Sequence, residues 1–155
     1  MLVRDSGFTL IEMIIVIAIV GIISVMAYPS MDGFIQRNSI SSQTNELISL
    51  LQYARSEAVT RKADVQVCAS TNGTSCSATP ADMSAGIIVL QGGNVIQSIT
   101  GIRDGINIGG STITFQGDGS ISGGSVTYSV SKSGYSGAGS TASVCTNALG
   151  QSRGC

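Results

Sequence analysis

The chain has 155 residues, a length that fits one modest domain plus an extension. Lys and Arg number 8 against 9 for Asp and Glu, so bulk charge gives no pull toward nucleic acid or anionic lipid, and any such binding needs a local patch. With no His and no Trp, the commonest general base and metal ligand is missing, and an ordinary hydrolase is a poor fit.

Apolar residues crowd the first thirty positions, whereas Gly, Ser and Thr dominate after about position 70. Residues 8–28, FTLIEMIIVIAIVGIISVMAY, carry one charge, Glu12. About 20 apolar residues span a bilayer as helix, so this run predicts a transmembrane segment. A secretory signal is the alternative, with Val25-Met26-Ala27 as a small-residue cleavage site before Tyr28. Against it, Arg4 is balanced by Asp5, and Glu12 lies inside the apolar run. A carboxylate at membrane depth costs about 2.5 to 3.5 kcal/mol and is retained where a partner or a function repays it. A cut between Gly7 and Phe8 would place a new α-amino group four residues upstream of Glu12. The plainer reading is a Glu at the interface that snorkels or is protonated.

The stretch Ser6-Gly7-Phe8-Thr9-Leu10-Ile11-Glu12 resembles the class III leader junction of type IV pilins and type II secretion pseudopilins. The resemblance implies a leader over residues 1–7, cleavage after Gly7 and N-methylation of Phe8 by a prepilin peptidase. It also implies that Glu12 registers an incoming subunit against its neighbour's N-terminus, with the major pilin and other minor pilins as partners. The protein would sit in the inner membrane as a single-pass subunit with its head in the periplasm, and on the cell surface after assembly. Pro29 stands where pilins often carry a helix-bending proline, and a mid-helix Pro favours a kink.

Residues 29–63 read as an amphipathic continuation of the helix: Ile40, Leu47, Leu51, Ala54 and Ala58 fall on one face. Glu57 and Arg61 form an i,i+4 pair worth a few tenths of a kcal/mol. The helix is predicted to end near Lys62-Ala63. Over 64–155 short strands are predicted at 65–68, 86–90, 95–99, 106–108, 112–115, 126–130 and 143–145, the second and third joined as a hairpin through Gly92-Gly93-Asn94. Gly117-Asp118-Gly119 lacks the carboxylates of a calcium loop and reads as a hairpin turn.

In order along the chain, Leu50 to Ala58, then Ile113 to Gly119, then Gly150-Gln151-Ser152-Arg153 are similar to the GspH/FimT family of minor pilins and pseudopilins. That resemblance implies an α+β pilin fold, a long N-terminal helix packed on an antiparallel β-sheet head. The family usually has an aromatic after the Gly at position 86, where this chain has Ile87. Cys68, Cys76, Cys145 and Cys155 all fall in the predicted head, and none forms a C-x-x-C pair. A zinc site would need all four thiolates at unusual spacing, so two disulfides are expected in an oxidising periplasm. Cys68–Cys76 and Cys145–Cys155 are the favoured pairing, since each closes a short loop. The second would hold 146–154 as a fixed exposed loop. No metal or cofactor is expected.

Three functions follow from these residues. The first is a structural minor pilin that primes or enters a type IV pilus. The second, implied by relatives that bind DNA through a basic tail, is DNA uptake, with Arg153 and Lys132 as candidate contacts. The relatives' Gly-Arg-x-Arg motif keeps only one of its arginines here, so DNA binding is expected to be weak or absent. The third is a type II secretion pseudopilin. An enzyme has no support, because no nucleophile, base or carboxylate pair is marked by spacing.

Overall fold

The computed structural model describes residues 7–79 and 82–155, and for 25–30 the backbone alone. The described residues divide into two compact units between Ile35 and Gln36. One helix, α1 (Leu10–Arg61), contributes to both. The expected kink at Pro29 falls on residues whose side chains lie outside the described ones, as do leader residues 1–6.

In the first unit every described side chain from Phe8 to Ile23 is exposed, Phe8 at 80% and Leu10 at 78%. Exposure on all sides of the helix, and not along one stripe, means that nothing within the unit covers it. Among the described residues no helix is long and apolar enough to cross a membrane. The described side chains of the apolar run stop at Ser24, whereas the sequence carries the run to Tyr28.

The second unit is the head. Here α1 buries Ile40, Leu47, Leu50, Leu51, Ala54 and Ala58, the predicted face with Leu50 added. Lys62 then takes a left-handed φ of 51°, and the Ala63 N–H donates to the Ala58 carbonyl at 3.2 Å. This is a Schellman-type stop built on a lysine where glycine is usual.

Eight strands follow: β1 (Val65–Ala69), β2 (Gly86–Gln91), β3 (Asn94–Thr100), β4 (Ile106–Gly109), β5 (Ile113–Phe115), β6 (Val126–Lys132), β7 (Thr141–Thr146) and β8 (Ser152–Gly154). They make two antiparallel four-stranded sheets, ordered β3-β2-β1-β5 and β4-β6-β7-β8. Seven strands stand where the sequence predicted them, and β8 was not foreseen. The 86–90 and 95–99 runs do pair as a hairpin, with Ile87 opposite Ile99.

One core joins the helix to both sheets through Val67, Val89, Phe115, Tyr128, Val130 and Val144. In β2 the alternation is lost because five successive residues are buried. Ile87 and Val89 join the helix-side core, while Ile88 and Leu90 pack with Cys68 on the opposite face. Ile87 is fully buried, so the missing aromatic leaves an aliphatic core residue in its place.

Candidate functional site

Two places carry residues singled out from sequence. The first is the junction. Thr9 caps α1: its Oγ1 accepts from the Glu12 N–H at 3.3 Å, and its carbonyl accepts from the Met13 N–H at 3.3 Å. Thr9-x-x-Glu12 is the sequence pattern of a capping box, and a carboxylate in the first turn suits the positive end of the helix dipole. The Glu12 side chain is exposed and has no ion pair among the described residues. Gly7 is exposed, and a Cβ built on it meets nothing within 4 Å. The described residues therefore make no demand for glycine there.

The second place is the C-terminal tail. Cys145 and Cys155 are joined, with Cα atoms 5.8 Å apart, and Cys68 and Cys76 are joined at 5.6 Å. The segment closed by the first bridge differs from the exposed loop expected. It is a hairpin in which β8 pairs with β7, Arg153 opposite Cys145 and Ser152 opposite Thr146. Thr146 and Ser152 are buried and share a hydroxyl hydrogen bond of 2.9 Å. Asn147 shapes the turn, its Oδ1 accepting from the N–H groups of Leu149 at 3.1 Å and Gln151 at 2.9 Å.

Gly150 is committed to packing. Its φ is 73°, and a Cβ there would collide with the Gly119 carbonyl oxygen and stand 3.0 Å from Arg55 Nε. Arg55 Nε donates to that same carbonyl at 3.1 Å. The 117–119 turn read from sequence is thus also a clamp, tied to α1 and to the tail. The Ser120 hydroxyl and then its N–H hydrogen-bond Asp118 and hold its carboxyl below the usual range. Beside the clamp lies an open groove of about 710 Å³ lined by Gln52, Ser56, Val59 and Gln151 among others.

Arg153 and Lys132 are not brought together. Arg153 sits level with Cys145 and so with Thr127 on β6, while Lys132 lies five residues further along β6. At about 3.3 Å per residue and 4.8 Å per strand, that is about 17 Å along and 10 Å across. Among the described residues no group of His, Cys, Asp or Glu is arranged to hold a metal ion. Reading the tail as a Gly-x-x-Arg motif missed Gly150's structural role, and Thr9 was overlooked although its spacing to Glu12 was legible.

A helix with unpartnered apolar side chains on every described face, entered through a Gly7-Phe8 junction, and a head of two antiparallel sheets define a pilin-type subunit. The model for the type II transport protein GspH matches residues 43–150, and that for the prokaryotic N-terminal methylation motif matches residues 2–28. The chain belongs to the GspH family of minor pilins and pseudopilins. No curated protein sequence matches it.

Among solved structures, it is similar to the type IV minor pilin FimU of Pseudomonas aeruginosa. It shares 21% identity with one crystal form, covering 79% of this chain and 92% of that one, with a TM-score of 0.61. It is also similar to the minor pseudopilin EpsH of the Vibrio cholerae type 2 secretion system, at 12% identity, 76% and 96% coverage and a TM-score of 0.56. At such identities the likeness establishes the shared fold. These relatives are structural pilin subunits, and the methylation motif marks chains that a prepilin peptidase processes and that assemble with other pilins.

Proposed function

We propose that the protein is a minor pilin that primes or enters a type IV pilus. Cleaved after Gly7 and methylated on Phe8, it is held in the inner membrane by residues 8–28 with its head in the periplasm. On assembly the same helix packs among those of the major pilin and other minor pilins. The observation that carries this reading is the exposure of every described side chain from Phe8 to Ile23: such a surface needs lipid or other helices to cover it. Glu12 is the docking carboxylate, since the chain offers it no ion pair among the described residues and a neighbour's α-amino group would.

The description of the matching family favours a second reading, a type II secretion pseudopilin. Mass spectrometry of filaments sheared from cells separates the two. The pilus reading expects the protein in the pilus fraction and loss of pili on its deletion. Unaltered pili together with a secretion defect would overturn it. DNA uptake gains little support, because Gly150 is occupied by packing and Lys132 stands far from Arg153.

A further inference from the structure

The two sheets of the head have two edges each, and the chain itself covers or blunts all but one. Along β4, the Met83 N–H donates to the Ile108 carbonyl at 2.9 Å and the Ile108 N–H donates to Ser84 Oγ at 3.0 Å. Along β5, the Ser122 N–H donates to the Thr114 carbonyl at 3.0 Å, and Phe115 bridges to Ile121. β8 is only 3 residues long, carries Arg153 and is tied down through Cys155. Covering segments, short strands and charges are the means by which sheets avoid stray pairing. β3 has none of them: its 7 residues, Asn94 to Thr100, include no charge and no Pro.

The direction of its free groups follows from the ladder. The Ser70 N–H donates to the Gly86 carbonyl at 2.9 Å, so Gly86 and, by alternation, Ile88 bond toward β1, while Ile87 and Val89 bond toward β3. Their partners Ile99 and Gln97 therefore turn their N–H and C=O groups inward, and Ser98 and Thr100 turn theirs outward. Among the described residues no hydrogen bond reaches the backbone of Ser98 or Thr100 from the outer side. A register shift between Val89 and Leu90 bends the ladder ahead of this point, which leaves Gln97 to Thr100 as the regular open edge. Against the same stretch α1 leaves a groove of about 330 Å³, lined by Leu50 and Tyr53 on the helix, by Gln97 and Ile99 on the strand, and by Glu46. Glu46 is exposed, accepts from Gln43 Nε2 at 2.7 Å and has no ion pair among the described residues.

We infer that the outer edge of β3 is a docking site for an extended segment of another protein, one that carries an apolar side chain and a Lys or Arg on the same face. The open N–H and C=O groups select an extended backbone, because a strand laid beside β3 satisfies them in register. Every second side chain of that strand would enter the groove beneath α1, where Leu50 and Tyr53 offer apolar contact and Glu46 offers the one charge. A second copy of this chain answers this chemistry poorly: β3 has no cation to meet Glu46, and β8, which has Arg153, is too short to fill the edge.

The probe is a synthetic peptide, acetyl-Thr-Val-Thr-Lys-Thr-Val-amide, whose Val and Lys side chains share one face when it is extended. It is titrated into the isotope-labelled full chain in detergent micelles and followed by NMR. Saturable submillimolar binding is expected, with the Ser98 amide exchanging at least about fivefold more slowly in the bound state. Glu46→Lys should weaken binding about fivefold, and a peptide with Glu in place of Lys should recover that loss. Ser98→Pro removes an outward N–H and no bond to β2, so the head should keep its spectrum and lose the peptide. The same peptide with N-methylated amides keeps its side chains but not its donors, and should not bind. Equal binding by the methylated peptide would overturn the inference in favour of side-chain capture alone. Ser98 protection that grows with protein concentration in the absence of peptide would overturn it in favour of a second copy. No binding of the parent peptide at millimolar concentration, with the spectrum of the head intact, would overturn it outright.

Discussion

Gly150 packs on Gly119 so closely that neither position has room for a side chain: a Cβ on Gly150 meets the Gly119 carbonyl, and one on Gly119 stands 2.8 Å from Val59 Cγ2. Both have left-handed φ, 73° and 84°. Gly150→Ala combines a left-handed penalty of about 1 kcal/mol with a backbone clash, and about 3 kcal/mol of lost head stability is expected. That is a fall in Tm on the order of 10 °C by circular dichroism. A change under 1 °C would mean that the tail does not rest on the clamp.

Tyr128 is a second internal tie. Its ring fills the space a Cβ on Gly110 would take, and its hydroxyl donates to the Ser111 carbonyl at 3.1 Å. Burial pushes its pKa well above the ordinary 10.0. With the folded value raised, the unfolded chain ionises first as pH climbs. Stability is therefore full below about pH 10 and lost as pH rises from there toward the folded value. Denaturant midpoints should fall above pH 10 in the parent and fall less steeply in Tyr128→Phe. Equal slopes would contradict the buried placement.

Arg153 is exposed on β8 and Lys132, the other candidate contact, stands far from it, so duplex DNA should bind at best weakly. Titration at low salt is expected to give millimolar affinity that Arg153→Ala barely changes, since phosphate affinity scales with the number of cations engaged. Micromolar binding abolished by that substitution would promote the DNA-uptake function.

Glu12→Leu removes a charge that is costly in lipid. Membrane insertion should be unchanged or improved, while the amount recovered in sheared filaments should fall at least tenfold. Because Thr9 Oγ1 accepts from the Glu12 backbone N–H, the cap survives this substitution, and a loss of helix cannot explain the phenotype. Parental incorporation would remove the docking role.

How far sequence reached depends on the range of the interaction. The buried face of α1 and seven strands were legible because period 3.6, period 2 and short apolar runs between Gly and Ser are local patterns. β8 was not, since Ser152-Arg153-Gly154 has no strand-forming side chains and is extended only because β7 and the Cys145–Cys155 bridge hold it. The division into two sheets was equally hidden: β1 pairs with β5 past three intervening strands, a long-range choice that no window of sequence encodes. The helix end was legible near Lys62-Ala63 from the basic residues of the last turn, and α1 ends at Arg61, but the left-handed stop at Lys62 carried no glycine signal.

Processing at Gly7 is the central claim, because membrane anchoring, the free α-amino group and the role of Glu12 all depend on it. No described residue stands within 4 Å of a Cβ at Gly7, so the described fold would accept a side chain and a requirement for glycine would come from the peptidase. The intact mass and N-terminal sequence of the membrane-extracted protein test this directly. The expected result is loss of residues 1–7 and one added methyl on Phe8; a mature N-terminus at Tyr28, or a retained Met1, would contradict it.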